Sequence, residues 1–186
     1  MTELATPGDY GAQTAPDTIE IQRLLPGPIE RVWAYLTESD LRRRWLAAGE
    51  MGLQAGGDPD RVHGVLLEIG YAAAVVTIVS LLDGTTSMYI STGGGTIGAG
   101  EHEPVAEASR AFVALAQVFV GHCEPSNDFP LPAEGRVRFQ LLTGGGGRTV
   151  EAGETELGEG RHALSPLFYA GQDVITQIRQ VTERPD

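Results

Sequence analysis

Residues 83–112, DGTTSMYISTGGGTIGAGEHEPVAEASRAF, decide the fold. Asp83-Gly84 is a tight-turn dipeptide that closes a hairpin. Thr85–Ser91 then reads as a strand, the glycines that follow as a loop, and Pro104 as the opening of an amphipathic helix. Val105, Ala108, Phe112, Leu115, Ala116 and Phe119 form its apolar stripe, so the helix is predicted over 104–120. Further along, Gly158-Glu159-Gly160-Arg161-His162 echoes Gly98-Ala99-Gly100-Glu101-His102. Each copy leads into a proline, Pro104 or Pro166, and a helical apolar pattern.

Working outward from that echo, the chain reads as a duplicated strand–strand–helix module over 58–183. In the first copy the strands are Ala74–Leu82 and Thr85–Ser91. In the second, Arg136–Leu142 alternates with Val137, Phe139 and Leu141 on one side, Gly144–Gly147 turns, and Arg148–Ala152 returns. The second helix spans 166–181, with Ser165 as its cap and Leu167, Phe168, Val174, Ile175 and Ile178 on its buried side. The expected fold class is α+β, with a four-stranded antiparallel sheet and both helices on one face. Pro125–Pro132 is the connector. Residues 62–82, VHGVLLEIGYAAAVVTIVSLL, have the length of a membrane span, but they carry His63, Glu68 and two glycines. They read instead as a buried helix over 60–70 followed by a buried strand. That order gives a fold-level analogy to profilin-like, roadblock-type modules.

The chain has 186 residues, a formal charge of -12 and no lysine. Such a charge repels phosphate backbones, which argues against nucleic acid as a partner. The one basic cluster, Arg42-Arg43-Arg44, reads as a solvated helix face. A single cysteine, Cys123, excludes an internal disulfide and fits a reducing cytoplasm. No secretory leader and no membrane helix is expected.

Residues 1–17 read as a loose tail rich in glycine and proline. Thr18–Leu25 reads as a strand, ended by Pro26-Gly27-Pro28. Ile29, Val32, Trp33 and Leu36 then fall on one helical stripe, and Leu41 with Trp45 on a second. The run IEIQRLLPGPIERVWAYLTESDLRRRWLAAGE, residues 19–50, resembles the opening of the START-like (SRPBCC) superfamily, in the branch of activators of the ninety-kilodalton heat-shock ATPase. The resemblance rests on the strand, on Pro28 through Trp33, and on Leu41 with Trp45. It implies a truncated strand–helix–helix over 18–55, and a superfamily whose curved sheet and terminal helix enclose an apolar cavity. It transfers no catalytic residue. The strong helix in mid-chain departs from the superfamily's run of strands. Residues 59–181 resemble a group of small bacterial proteins to which no activity is assigned.

Gly93, Gly95 and Gly98 spell G-x-G-x-x-G after a strand, the spacing of a phosphate-binding loop. The helix begins too late for such a loop, and Glu101 and Glu103 occupy the anion's place, so a glycine turn is the expectation. His102 and His162 stand at equivalent places before the two helices. With Glu101 or Glu103 they would be a weak metal site, so no metal and no cofactor is predicted. His122-Cys123 is badly arranged for a nucleophile and its base. Glu151, Glu154, Glu156 and Glu159 read as a solvated edge. Candidate ligand or interface residues are therefore Trp33, Trp45, Gly93, Gly95, Gly98, His102 and His162. The leading expectation is a non-enzymatic module that binds a protein partner or a second copy of itself. The alternative is a START-like carrier or sensor of an apolar small molecule.

Overall fold

The computed structural model describes residues 58–182 and the backbone of two short strands, β1 (Ala12–Ala15) and β2 (Thr18–Glu20). These two pair antiparallel, within and just after the stretch read as a tail. The remainder of 18–55 lies outside the described residues.

A seven-stranded antiparallel sheet organises 58–182. Its strands are β3 (Val62–Gly70), β4 (Val75–Leu81), β5 (Thr86–Ile90), β6 (Gly95–Thr96), β7 (Glu124–Pro125), β8 (Arg136–Thr143) and β9 (Gly146–Gly153), in the spatial order β6-β5-β4-β3-β8-β9-β7. The helices are α1 (Glu103–Ala116), prolonged by a 3-10 turn to His122, the short α2 (Glu154–Gly158), and α3 (Ser165–Thr182).

Four of these strands, β4, β5, β8 and β9, are those expected from the sequence. The expected four-stranded sheet is nevertheless wrong, because three more strands join it. β6 and β7 are two-residue edge strands. β3 is the larger correction, since it replaces the helix expected at 60–70 and lies at the centre of the sheet. It joins the two halves by pairing with β4 through Leu67↔Ile78 and with β8 through Leu67↔Phe139. A strand buried on both faces loses its polar alternation and reads as a continuous apolar run.

The core lies between the sheet and its helices. Val65, Leu67, Ile69, Ile78, Val137, Phe139 and Leu141 point to one face, where they meet Phe112 and Val113 of α1 and Leu167, Val174 and Ile178 of α3. Gly171 lets α3 come this close. A Cβ there would stand 2.4 Å from Leu67 Cδ2 and 3.4 Å from Phe112 Cζ. At the rim, Gln117 ties α1 to the start of β3, accepting from Val62 N at 2.9 Å and donating to Asp60 O at 3.0 Å. Among the described residues, no helix is long and apolar enough to cross a membrane.

Candidate functional site

Pairing register puts a different set of side chains on the face opposite the helices. Leu66 lies between Val79 and Gln140, and Glu68 between Thr77 and Arg138, which in turn faces Glu151. Residues paired across a sheet share a face, so these form two adjacent rows. A third row is apolar, with Leu81 and Leu142 closing over Gly64.

The polar row is tightly bonded. Gln140 Nε2 donates to Glu68 Oε2 at 2.8 Å, and Thr77 Oγ1 donates to Glu68 Oε1 at 3.4 Å. Both Glu68 and Gln140 are 0% exposed. Glu151 accepts from Arg136 Nε at 2.9 Å and from Arg138 Nη2 at 2.6 Å. Burial pushes the Glu151 carboxyl up, but the hydrogen bonds and charges of the two arginines outweigh it and hold it below the usual carboxylate range. Arg138 also donates to the carbonyl of Pro130. The connector thus crosses this face from the β8–β9 hairpin to the end of β3. Phe129 packs over Gly147, and Ala133 packs over Gly70.

Gln140 Oε1 is buried with no hydrogen-bond partner. The amide cannot be turned round to relieve it, because Glu68 needs the NH2 side. On the helix side the Oγ atoms of Ser80 and Ser109 are also buried without partners.

At one end of β3 and β4, an open groove of about 400 Å³ is lined, among the described residues, by His63, Leu81, Leu82 and Asp83. Leu82 is exposed there. Asp83 Oδ1 accepts from Thr85 N, and this hydrogen bond holds its carboxyl below the ordinary value.

The residues picked out from the sequence are scattered by comparison. Gly93 has φ 114° and sits in the turn between β5 and β6, donating to Ile90 O. Gly95 has φ 143°, and a Cβ there would lie 2.2 Å from Met88 O. Gly98 has φ 75° and opens a 3-10 turn ahead of α1. All three serve a hairpin and its exit, and even Gly98, the last of them, is parted from the helix N-terminus by the 3-10 turn Ala99–Glu101. His102 is exposed and its side chain makes no cap bond to α1. His162 is half-buried, and its Nδ1 accepts from Leu164 N at 3.2 Å. Among the described residues, no group of three or more His, Cys, Asp or Glu could hold a metal ion. Ser165 begins α3, but its Oγ accepts the N–H of His162 rather than one of the helix's own. Trp33 and Trp45 lie outside the described residues.

Cys123 is buried and donates to Phe119 O at 3.4 Å. Burial pushes its thiol up to about 11, against the opposing charge of Arg148, which favours the thiol over the nucleophilic thiolate at neutral pH. Glu151 departs from the solvated edge expected of it, because both arginines hold it on the sheet.

The face built from Thr77, Glu68, Gln140 and Arg138 was missed by the sequence reading. Its signal was Glu68 within an apolar run, together with Gln140 at an alternation position. No family model, curated protein or solved structure matches the chain.

Proposed function

We propose that this is a non-enzymatic interaction module that docks a protein partner, or a second copy of itself, through the groove at the end of β3 and β4. The observation that carries the reading is the exposed Leu82 beside Leu81, an apolar floor bordered by His63 and Asp83. An apolar anchor site inside a polar rim is the usual anatomy of a protein contact. The ionisable side chains of the opposite sheet face support it, because Arg136, Arg138 and Glu151 are occupied with one another.

A second reading, the START-like carrier, draws on the resemblance of residues 19–50 and on the size of the same groove. About 400 Å³ falls within the range of small-molecule sites. We also read β4–β5–α1 and β8–β9–α3 as an internal duplication, inserted around β3. A cytoplasmic setting belongs to the same proposal, and the free thiol of Cys123 suits it.

A native mass spectrum of the full chain at neutral pH, paired with sedimentation velocity, separates the two readings. The interaction reading expects a bare dimer that Leu82→Asp returns to monomer. A bound mass of a few hundred daltons, released on denaturation, would overturn it in favour of the carrier.

A further inference from the structure

Strand β3 breaks register at the groove. Val62 pairs with Thr143 and Gly64 with Leu142, so His63 is an extra residue in the ladder. A bulge of this kind re-aims a side chain, and bulges are over-represented at sheet edges and beside functional sites. The His63 carbonyl accepts from Leu82 N at 2.9 Å, which fixes the bulge against the groove's exposed leucine. The half-buried His63 side chain then lines the groove with Leu81, Leu82 and Asp83. Asp83 stands on the turn between β4 and β5, where the hydrogen bond from Thr85 N holds its carboxyl below the ordinary value. One small patch thus carries an apolar anchor, a base and an acid.

We propose that the occupant of this groove is a second copy of the chain, docked about a two-fold axis at Leu82, with His63 of each copy facing the partner's Asp83. The inference rests on the docking reading above and adds to it a contact that tightens as pH falls. A two-fold contact needs a self-complementary patch, in which residue i meets residue j and j meets i. An exposed leucine between a histidine and an aspartate meets that need, because one rotation forms the cross-pair twice. Histidine gains its charge between roughly pH 8 and pH 5, while the aspartate is already an anion there. The neighbouring charges are largely engaged elsewhere. Asp60 is held by Arg148, and Arg110, whose guanidinium reaches Gly84, is held by Glu103. Asp58 and Arg61, of opposite sign, stand exposed just before β3.

Sedimentation equilibrium of the full chain at pH 8 and at pH 6 reads the effect. The proposal predicts a dimer roughly three- to ten-fold tighter at pH 6, since each of two exposed pairs contributes a factor of a few. His63→Gln and Asp83→Asn should each abolish the pH dependence, and the asparagine keeps the acceptor that Thr85 N needs. His63→Lys, charged at both pH values, should reach at pH 8 the tightness that the parent reaches at pH 6. His102→Gln and His122→Gln, exposed on other parts of the surface, should leave the pH dependence as it was. A dimer that Leu82→Asp breaks, yet equally tight at both pH values, would overturn this inference and leave the docking reading standing. A pH dependence that survives His63→Gln would do the same. A chain that stays monomeric at both pH values would overturn the inference and the self-docking beneath it together.

Discussion

The two faces of this sheet are built on different chemistry. On the helix side, Val65, Leu67, Ile69, Phe139 and Leu141 meet the apolar stripes of α1 and α3, and Gly171 lets the backbone of α3 approach. On the other side, Glu68, Gln140, Arg138 and Glu151 form a bonded row beside a smaller apolar patch. The first face derives its stability from burial, which is non-directional and large. The second draws little net stability from its bonds, because each exchanges a contact with water for one with protein. What the second face gains is register. A one-residue slip of β3 would carry Glu68 into the helix-side core. One face holds the fold together, while the other specifies how its central strands align.

The largest expected effect is on the helix side. Phe139→Ala should cost about 3–5 kcal/mol in urea unfolding, as emptied aromatic core sites do. A cost near that of a surface change would remove the distinction between the faces. Gly171→Ala should cost about 1–3 kcal/mol, because Leu67 and Phe112 are fully buried and have no room to move. An unchanged midpoint would show that α3 does not pack as closely as described.

The polar face should respond to pH instead. The folded-state carboxyl of Glu151 lies below its ordinary value, so its stabilisation is present above the unfolded carboxylate pKa and is lost as pH falls through the folded one. Glu151→Gln should therefore be less stable than the parent at pH 7 by no more than about 1 kcal/mol. The gap should close in acid, read from unfolding midpoints across that range. A gap that persists at low pH would mean that the arginines act by packing rather than by charge. His102→Ala should have the smallest effect, with no measurable change in midpoint, since its side chain is exposed and caps nothing.

Much of this arrangement was legible from residue pattern. Val137, Phe139 and Leu141 alternate because β8 has one apolar face, and the stripe from Val105 to Ala116 follows α1 as drawn. Asp83-Gly84 does close the β4–β5 hairpin, with Gly84 at φ 94°. β3 was not legible as a strand. Its second face buries Leu66 and Glu68, so Val62–Gly70 is buried almost throughout and its sequence shows no two-residue alternation of apolar and polar side chains. The edge strands β6 and β7 are too short to leave any period. The polar face was missed for a related reason. Glu68, Gln140 and Arg138 are distant in the chain, and only the pairing of β3 with β8 brings them together. The glycine loop and the two histidines stood out because their spacing was local, and local spacing proved to describe turns.

By pairing with both β4 and β8, β3 welds the two halves of the sheet into one cooperative core. Native-state hydrogen exchange on the full chain tests it most directly. Amides of β3, β4 and β8 should share the slowest exchange and be lost together as denaturant rises, at the free energy of global unfolding. Release of β8–β9 with α3 at a markedly lower free energy than β3–β4 with α1 would contradict it.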